Sequence, residues 1–211
     1  MKHSFSGLSH LAGAVLSVFG LIVLLAAAGG RFWHTVSFAV YGTTLVLLYT
    51  ASALYHLLRV PPEQKERLLG LDRAAIYALI AGTYTPVCLV ALRGPWGWGL
   101  LATVWGLALA GIAVDAFLRG RVPDWLQGLL YLSVGWVAVI AAGPLVRALP
   151  GSALLWLLAG SLLYTLGAII CVCERPRLLP GVFGAHDLWH VLVLAASACH
   201  FLLMLRFIAP L

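Results

Sequence analysis

The sequence predicts an all-α fold, a seven-transmembrane helix bundle with the N-terminus in the cytoplasm and the C-terminus outside. Of the 211 residues, 63% are hydrophobic and only 9% are charged, whereas a soluble domain carries about 25% charged residues. Apolar runs alternate with short breaks of Gly, Pro and charged residues, and most basic residues lie at alternate breaks. These observations exclude a soluble globule, a disordered chain, collagen and a disulfide scaffold, and they indicate an integral membrane protein.

Seven apolar runs are long enough to cross a bilayer. About 20 residues at 1.5 Å per residue cover the roughly 30 Å of hydrocarbon. The predicted spans are residues 8–28, 33–58, 72–92, 96–118, 124–142, 152–173 and 185–208. They fill the chain, so we expect residues 1–211 to form a single integral-membrane domain without room for a soluble catalytic domain.

Local signals support the individual spans. Lys2 before the first span gives it some likeness to a signal peptide, but the run over 8–28 is longer than the about 7–15 residues of a signal-peptide core. Pro95 and Pro123 stand just before the fourth and fifth helices, where a missing N–H does no harm. Pro86 falls inside the third span, and we expect it to kink that helix.

The charged residues predict the orientation. With the N-terminus in the cytoplasm, the inner ends carry nine Lys and Arg residues and the outer ends carry four, in line with the positive-inside rule. The inner residues are Lys2, Arg59, Lys65, Arg67, Arg73, Arg119, Arg121, Arg175 and Arg177, and the outer ones are Arg31, Arg93, Arg147 and Arg206. All seven acidic residues also fall at inner ends. We expect a multi-pass protein of the cell (inner) membrane, in which the net charge of +6 determines topology and does not bind nucleic acid.

Three of the seven histidines are predicted to meet at the cytoplasmic side. His186 and His190 lie four residues apart at the start of the seventh span, so they share a helix face, although such a pair alone is a weak metal signal. His56 ends the second span, and the topology puts that end on the same side of the membrane. Three imidazoles leave one coordination position open, which is the pattern of catalytic zinc. His200 lies about 15 Å deeper in the helix, where we expect it to pack.

Other polar residues near the same side have both a functional and a structural interpretation. Asp72 opens the third span and is either a general base or a first-turn acid favoured by the helix dipole. Ser52 lies one turn before His56 and either orients that histidine or a substrate oxygen, or bonds to its own helix backbone. We expect Asp115 to be a solvated charge at a helix end, and Asp187 to be a first-turn acid or a partner of the histidines.

Three motifs are similar to those of one family. They are Ser52-Ala-Leu-Tyr-His56, Asp72-Arg-Ala-Ala-Ile-Tyr77 with Gly82-Thr-Tyr-Thr-Pro86, and Gly184-Ala-His186-Asp-Leu-Trp-His190. In this order they resemble the hemolysin III family, the bacterial branch of the progestin and adipoQ receptor superfamily, which is adiponectin receptor-like and related to alkaline ceramidases. The resemblance spans almost the whole chain. Many family members have Glu at the position of Asp187.

The resemblance also implies a functional site. It implies Zn²⁺ held at the cytoplasmic side by His56, His186 and His190, with roles for Ser52 and Asp72 at the same site. The relationship to ceramidases further implies a fatty-acyl membrane lipid as substrate or ligand.

Three functions are compatible with such a site. The first is zinc-dependent hydrolysis of an amide or ester of a membrane lipid, linked to lipid homeostasis, with Asp72 and Ser52 as catalytic residues. The second is a non-catalytic lipid-sensing receptor or regulator with structural zinc. The third is a hemolysin-type cytolytic protein, although no predicted span carries the mid-depth charges of an ion pore. Asp72 near an open coordination position favours the hydrolase, and the other two stay as alternatives.

Overall fold

The computed structural model describes residues 4–118, 121–176, 178–179 and 183–211. Seven helices within these ranges are long and apolar enough to cross a membrane, and the same ranges contain no β-strand. The predicted seven-helix bundle is therefore confirmed. Three basic residues that contributed to the predicted orientation, Lys2, Arg119 and Arg177, lie outside the described residues.

The helices follow one another through short connections. The first four spans are α1 (Ser4–Ala28), α2 (Phe32–Leu57), α3 (Pro62–Pro86, continued by a π-helical turn over Val87–Ala91) and α4 (Pro95–Phe117). The fifth span consists of α5 (Asp124–Gly135), a 3-10 segment (Trp136–Ala141) and α6 (Ala142–Ala148). The last two are α7 (Gly151–Cys173) and α8 (Ala185–Leu203), which a π-helical turn over Met204–Ile208 continues.

The third span begins ten residues earlier than predicted. Pro62 stands in the first turn of α3, and Glu63 adds an acid there, both of which favour a helix start. The sequence between Pro62 and Asp72 is rich in charged residues, so hydropathy alone predicts a loop there. Asp72 consequently lies almost three turns inside α3, and its interpretation as a first-turn acid is wrong.

Two spans depart from a regular α-helix. The fifth continues through α6 to Ala148, six residues past its predicted end at 142. In the third, the amide of Leu92 donates to the carbonyl of Val87 at 2.8 Å, which is the i to i−5 bond of a π-helix. The expected disturbance at Pro86 therefore takes the form of a π-helical turn directly after it.

Helix α2 lies at the centre of the bundle, where it packs against α1 and α3. A Cβ atom at Gly42 would lie 2.5 Å from the side chain of Leu21 in α1, so glycine is needed for this close approach. Small residues at helix contacts are typical of membrane bundles. The buried face of α2 carries the large rings of Phe38, Tyr41 and Tyr49, which fill the core between the helices.

An ion-pair network joins α3, α4 and α5 at one end of the bundle. The Arg73 guanidinium lies 3.4 Å from the Asp115 carboxylate and 2.9 Å from that of Asp124. The Tyr131 hydroxyl donates to the Arg73 carbonyl at 3.3 Å. Asp115 is only 5% exposed, so its prediction as a solvated charge is wrong, because its partner comes from another helix. The network fixes the segment of α3 that contains Asp72.

Candidate metal centre

The histidine side chains from the last turn of α2 and the first turns of α8 meet, as the predicted topology requires. His56 stands in the last turn of α2, while His186 and His190 occupy the start of α8. The Asp187 carboxylate accepts a hydrogen bond from the Gly184 amide at 3.0 Å and so caps α8. Asp187 is therefore a first-turn acid, and its cap fixes the helix start that carries the two histidines.

The three imidazoles are spaced for one metal ion. His186 Nε2 lies 3.4 Å from His56 Nε2 and 3.1 Å from His190 Nε2. One ligand atom of each ring lies within 4.8 Å of the other two. In a tetrahedral site with Zn–N bonds of about 2.0–2.1 Å, two ligand nitrogens are about 3.3 Å apart. The predicted triad thus forms a group that could hold a metal ion.

Within the described ranges, this group contains the three histidines and no carboxylate or thiolate. The Cys171 thiol does approach His186, but its Sγ lies 3.8 Å from Nδ1, which is not the ring nitrogen that faces the other two histidines. Asp72 is outside the group as well. Three nitrogen donors with a fourth position open match the donor set of catalytic zinc sites.

An apolar cavity extends from the triad into the bundle. Its volume is about 160 Å³. Its polar end contains Ser52, Asp72, His186 and His190. Most of the remaining wall is hydrocarbon, contributed by residues such as Leu48, Leu79, Ile80, Val87, Leu100 and Leu145. The triad therefore stands at the entrance to a space that suits an acyl chain.

A second, more open pocket of about 670 Å³ borders the triad on its other side. Its wall includes His56, Arg73 and Asp124, and it shares Asp72 and His186 with the apolar cavity. His190 is 2% exposed, His56 is half-buried and His186 is exposed. The centre thus lies at the border between a buried apolar space and a more open pocket that has charged residues in its wall.

Ser52 and Asp72 meet across the contact between α2 and α3. Ser52 is 2% exposed, and it lines the apolar cavity together with Asp72. This position beside a carboxylate of another helix favours a site role for Ser52 over a bond to its own backbone. Four of the five predicted site residues thus line the apolar cavity, and the fifth, His56, lines the open pocket beside them.

A residue that the sequence analysis left without a role also belongs to this neighbourhood. His10 of α1 is 3% exposed and lines the apolar cavity. Its ring centroid lies 3.9 Å from that of His190 and 4.9 Å from that of Tyr49. The available signal was periodicity, because Ser6, His10 and Ser17 are spaced by four and seven residues and so share one face of an otherwise apolar helix.

Deeper in the bundle, a second polar cluster joins α2, α7 and α8. The Tyr49 hydroxyl donates to Ser197 Oγ at 2.7 Å, and the Tyr164 hydroxyl lies 2.8 Å from the same oxygen. The His200 ring stacks on Tyr164 with centroids 5.7 Å apart and is 4% exposed. The prediction that His200 packs away from the metal centre is confirmed.

Comparisons with known proteins agree with the motifs and the fold. The family described as Haemolysin-III related matches residues 1–201. Hemolysin-3 of Bacillus cereus is 41% identical over 207 residues, which cover 97% of this chain and 91% of that protein. The hemolysin-3 homolog of Bacillus subtilis (strain 168) is 37% identical over 202 residues, 95% of this chain and 91% of its own.

A more distant similarity reaches animal proteins. The human monocyte to macrophage differentiation factor is 24% identical over 173 residues, which cover 80% of this chain and 69% of that protein. The family match over almost the whole chain and the two bacterial relatives settle the assignment: this chain belongs to the hemolysin III family of membrane proteins.

Proposed function

We propose that this protein is a zinc-dependent hydrolase that cleaves an amide or ester bond of a membrane lipid and so contributes to membrane lipid homeostasis. One observation carries the proposal. Three imidazole nitrogens spaced for zinc stand beside the Ser52–Asp72 pair at the head of an apolar cavity. Residues 1–211 act as one membrane domain in this proposal, because the site draws on α2, α3 and α8.

The three histidines are the proposed ligands of the metal. His56, His186 and His190 would hold Zn²⁺ through neutral imidazoles, and the Nε2 separations of 3.1 and 3.4 Å suit this ion. When bound, zinc polarises a carbonyl group as a Lewis acid and lowers the pKa of water toward about 7.

The side chains around the triad supply the remaining functions. Asp72 is the proposed general base, which takes a proton from the attacking water and gives it to the leaving nitrogen or oxygen. Ser52 orients the Asp72 carboxylate or donates to the substrate oxygen as negative charge develops there. The apolar cavity holds the acyl chain away from water. The open pocket whose wall includes Arg73 and Asp124 supplies water and receives the polar product.

Purified protein in vesicles that contain amide- and ester-linked lipids tests this activity. We expect mass spectrometry to detect released fatty acid with the unaltered protein and not with Asp72→Asn. Glu63→Gln is the matched control, because Glu63 is a carboxylate of the same helix with a 77% exposed side chain. Equal release by the protein and by Asp72→Asn would contradict the assigned base.

The two other functions give different outcomes in the same preparation. A protein that keeps zinc and binds lipid but releases no product would contradict hydrolysis and support the lipid-sensing regulator. Lysis of erythrocytes that persists in Asp72→Asn and after removal of zinc would support a cytolytic role, which is the activity that the name of the Bacillus cereus relative describes.

We place the metal centre at the cytoplasmic side of the cell membrane, because the basic residues favour that side by nine to four. Reporter cysteines introduced beside Gln64, Leu178 and Gly94, with the four native cysteines replaced, test this orientation. The cysteines beside Gln64 and Leu178 should react with impermeant reagents only from the cytoplasm, and the one beside Gly94 only from outside. Labelling beside Gln64 or Leu178 from outside would contradict the proposed orientation.

A further inference from the structure

Helix α1 carries a buried polar face that the proposed chemistry does not use. Ser6, His10 and Ser17 are 0%, 3% and 7% exposed, whereas large apolar side chains of the same helix, such as Leu16 and Phe19, are 67% and 62% exposed. A polar group inside a membrane bundle is costly and is usually retained for a reason. The polar face of α1 is directed toward the bundle, and its first turns approach the metal centre.

Ser6 contacts the turn that carries His186. Its hydroxyl donates to Asp187 Oδ1 at 2.7 Å, and Asp187 Oδ2 accepts from the Gly184 amide at 3.0 Å. One carboxylate therefore joins α1 to the capped start of α8. Because His186 directly precedes Asp187, this contact restrains the backbone from which the His186 ring extends.

Gly7 contacts the turn that carries His56. A Cβ atom there would lie 2.6 Å from the Leu57 side chain and 3.1 Å from His56 Cβ. A side chain at this position would displace the Leu57 side chain and press against His56 Cβ. The glycine thus lets α1 lie directly against the last turn of α2, beside the base of the His56 ring.

His10 contacts the third histidine of the triad. Its ring lies against the ring of His190, with centroids 3.9 Å apart and planes tilted by 47°. Tyr49 supports His10 from another direction, with an edge contact at 4.9 Å. His190 is the most buried member of the triad, and His10 limits the directions in which its ring can turn.

We propose that residues 6–10 of α1 form a positioning surface for the metal centre, in which Ser6, Gly7 and His10 each restrain a different ligand-bearing turn. The inference rests on the proposed metal site. None of the three residues is a proposed ligand. They set the orientation of the ligand rings before the metal binds, as outer partners of metal sites do. In this proposal α1, whose sequence has some likeness to a signal peptide, positions the metal ligands.

The chain offers a matched pair of variants to test this surface. Ser6→Ala removes the hydrogen bond to Asp187. Ser17→Ala removes a buried hydroxyl from the same face of the same helix, but Ser17 Oγ donates only to its own backbone at Gly13 O, 2.7 Å away. Zinc affinity of the full-length protein is measured by competition with a chelator, and thermal unfolding of the zinc-free protein is measured in parallel.

We expect Ser6→Ala to weaken zinc binding by about 10–100-fold, the range found for outer partners of metal sites, and Ser17→Ala and Ser6→Thr to bind zinc as the unaltered protein does. His10→Ala should weaken binding similarly and change the visible spectrum of the Co²⁺-substituted protein. His10→Phe should restore both, because it retains a ring against His190. Thermal unfolding of the zinc-free variants should not account for the differences in affinity.

Equal zinc affinities in Ser6→Ala and Ser17→Ala would overturn the inference and leave the metal site intact. A fall in affinity that only follows a loss of zinc-free thermal stability would overturn it as well. Failure of the unaltered protein to bind zinc would instead refute the proposed function. If Gly7→Ala does not fold, the paired serine variants still decide the question.

Discussion

The apolar cavity has polar groups at two places, and the two differ in how those groups are satisfied. In the deep cluster, the Ser197 hydroxyl accepts from Tyr49 and pairs with Tyr164, so hydroxyl groups from three helices satisfy one another. At the triad, three chemically identical Nε2 atoms converge. A cation at their common point would satisfy all three lone pairs at once.

The comparison shows that a polar residue at membrane depth does not by itself indicate a functional site. Both clusters contain a buried histidine, His200 in one and His190 in the other. His200 stacks on Tyr164 and lies against Gly160, where a Cβ would be 2.6 Å from the His200 ring, so its surroundings are close-packed. His190 also lines the apolar cavity, but its Nε2 lies 3.1 Å from that of His186, which borders the open pocket as well. We infer a functional site from the convergence of the three imidazole nitrogens and from their access to the open pocket. The polarity of a buried residue alone does not indicate one.

The largest effect is expected from loss of a triad member. His190→Ala removes one of three donors and should abolish zinc binding at micromolar metal, together with any hydrolysis, since the loss of a ligand should exceed the about 10–100-fold effect of an outer partner. Metal analysis of the purified variant measures this. Retention of one zinc per chain would show that His190 belongs with the packed histidines, like His200.

Asp72→Asn should separate catalysis from metal binding. The amide cannot take a proton, so the rate of lipid hydrolysis should fall by about 10²–10⁴-fold while one zinc per chain remains bound. Parallel measurements of fatty-acid release and of metal content check both expectations. If the metal is lost with the carboxylate, Asp72 is a ligand and the donor set is wrong.

Zinc occupancy of the triad should depend on pH, whereas the hydrogen bonds of the deep cluster around Ser197 should not change with pH. Zinc binds neutral imidazole, and histidine ordinarily titrates near about pH 6.5, so occupancy should be complete near pH 7.5 and should fall progressively below about pH 6. Equilibrium dialysis against buffered zinc follows the change. Occupancy that stays constant down to about pH 4.5 would indicate ligands other than histidine.

The smallest effect is expected in the deep cluster. Tyr49→Phe removes one hydroxyl that joins α2 to α8, and a hydrogen bond between membrane helices contributes about 0.6 kcal/mol on average. Unfolding in mixed detergent should show a loss of this size, with zinc content unchanged. A loss of zinc in Tyr49→Phe would show that the two clusters are coupled through His10, which contacts both Tyr49 and His190.

Local patterns in the sequence predicted the spans and the grouping of the three histidines that could hold a metal ion. Hydropathy located the seven helices, and the spacing of His186 and His190 placed them on one face. The number of spans between His56 and His186 then brought their helix ends together. Each of these signals lies in a short stretch of sequence or requires only a count of the membrane spans.

The errors arise where the outcome depends on packing between helices. Asp115 is buried because Arg73 reaches it from α3, and His10 belongs to the site because α1 packs against α8, some 180 residues away in the sequence. The early start of α3 escaped prediction because its first turns are charged. Hydropathy identifies apolar spans, and it carries no information about a helix that continues beyond them.

X-ray absorption at the zinc K-edge tests the central claim most directly, because it counts the donor atoms around the metal. The account predicts three imidazole nitrogens and one oxygen from solvent, all at about 2.0–2.1 Å, and no sulfur. A sulfur neighbour at about 2.3 Å would make a thiolate such as Cys171 the fourth ligand. That result would close the coordination sphere, make the zinc structural and contradict the hydrolase proposal.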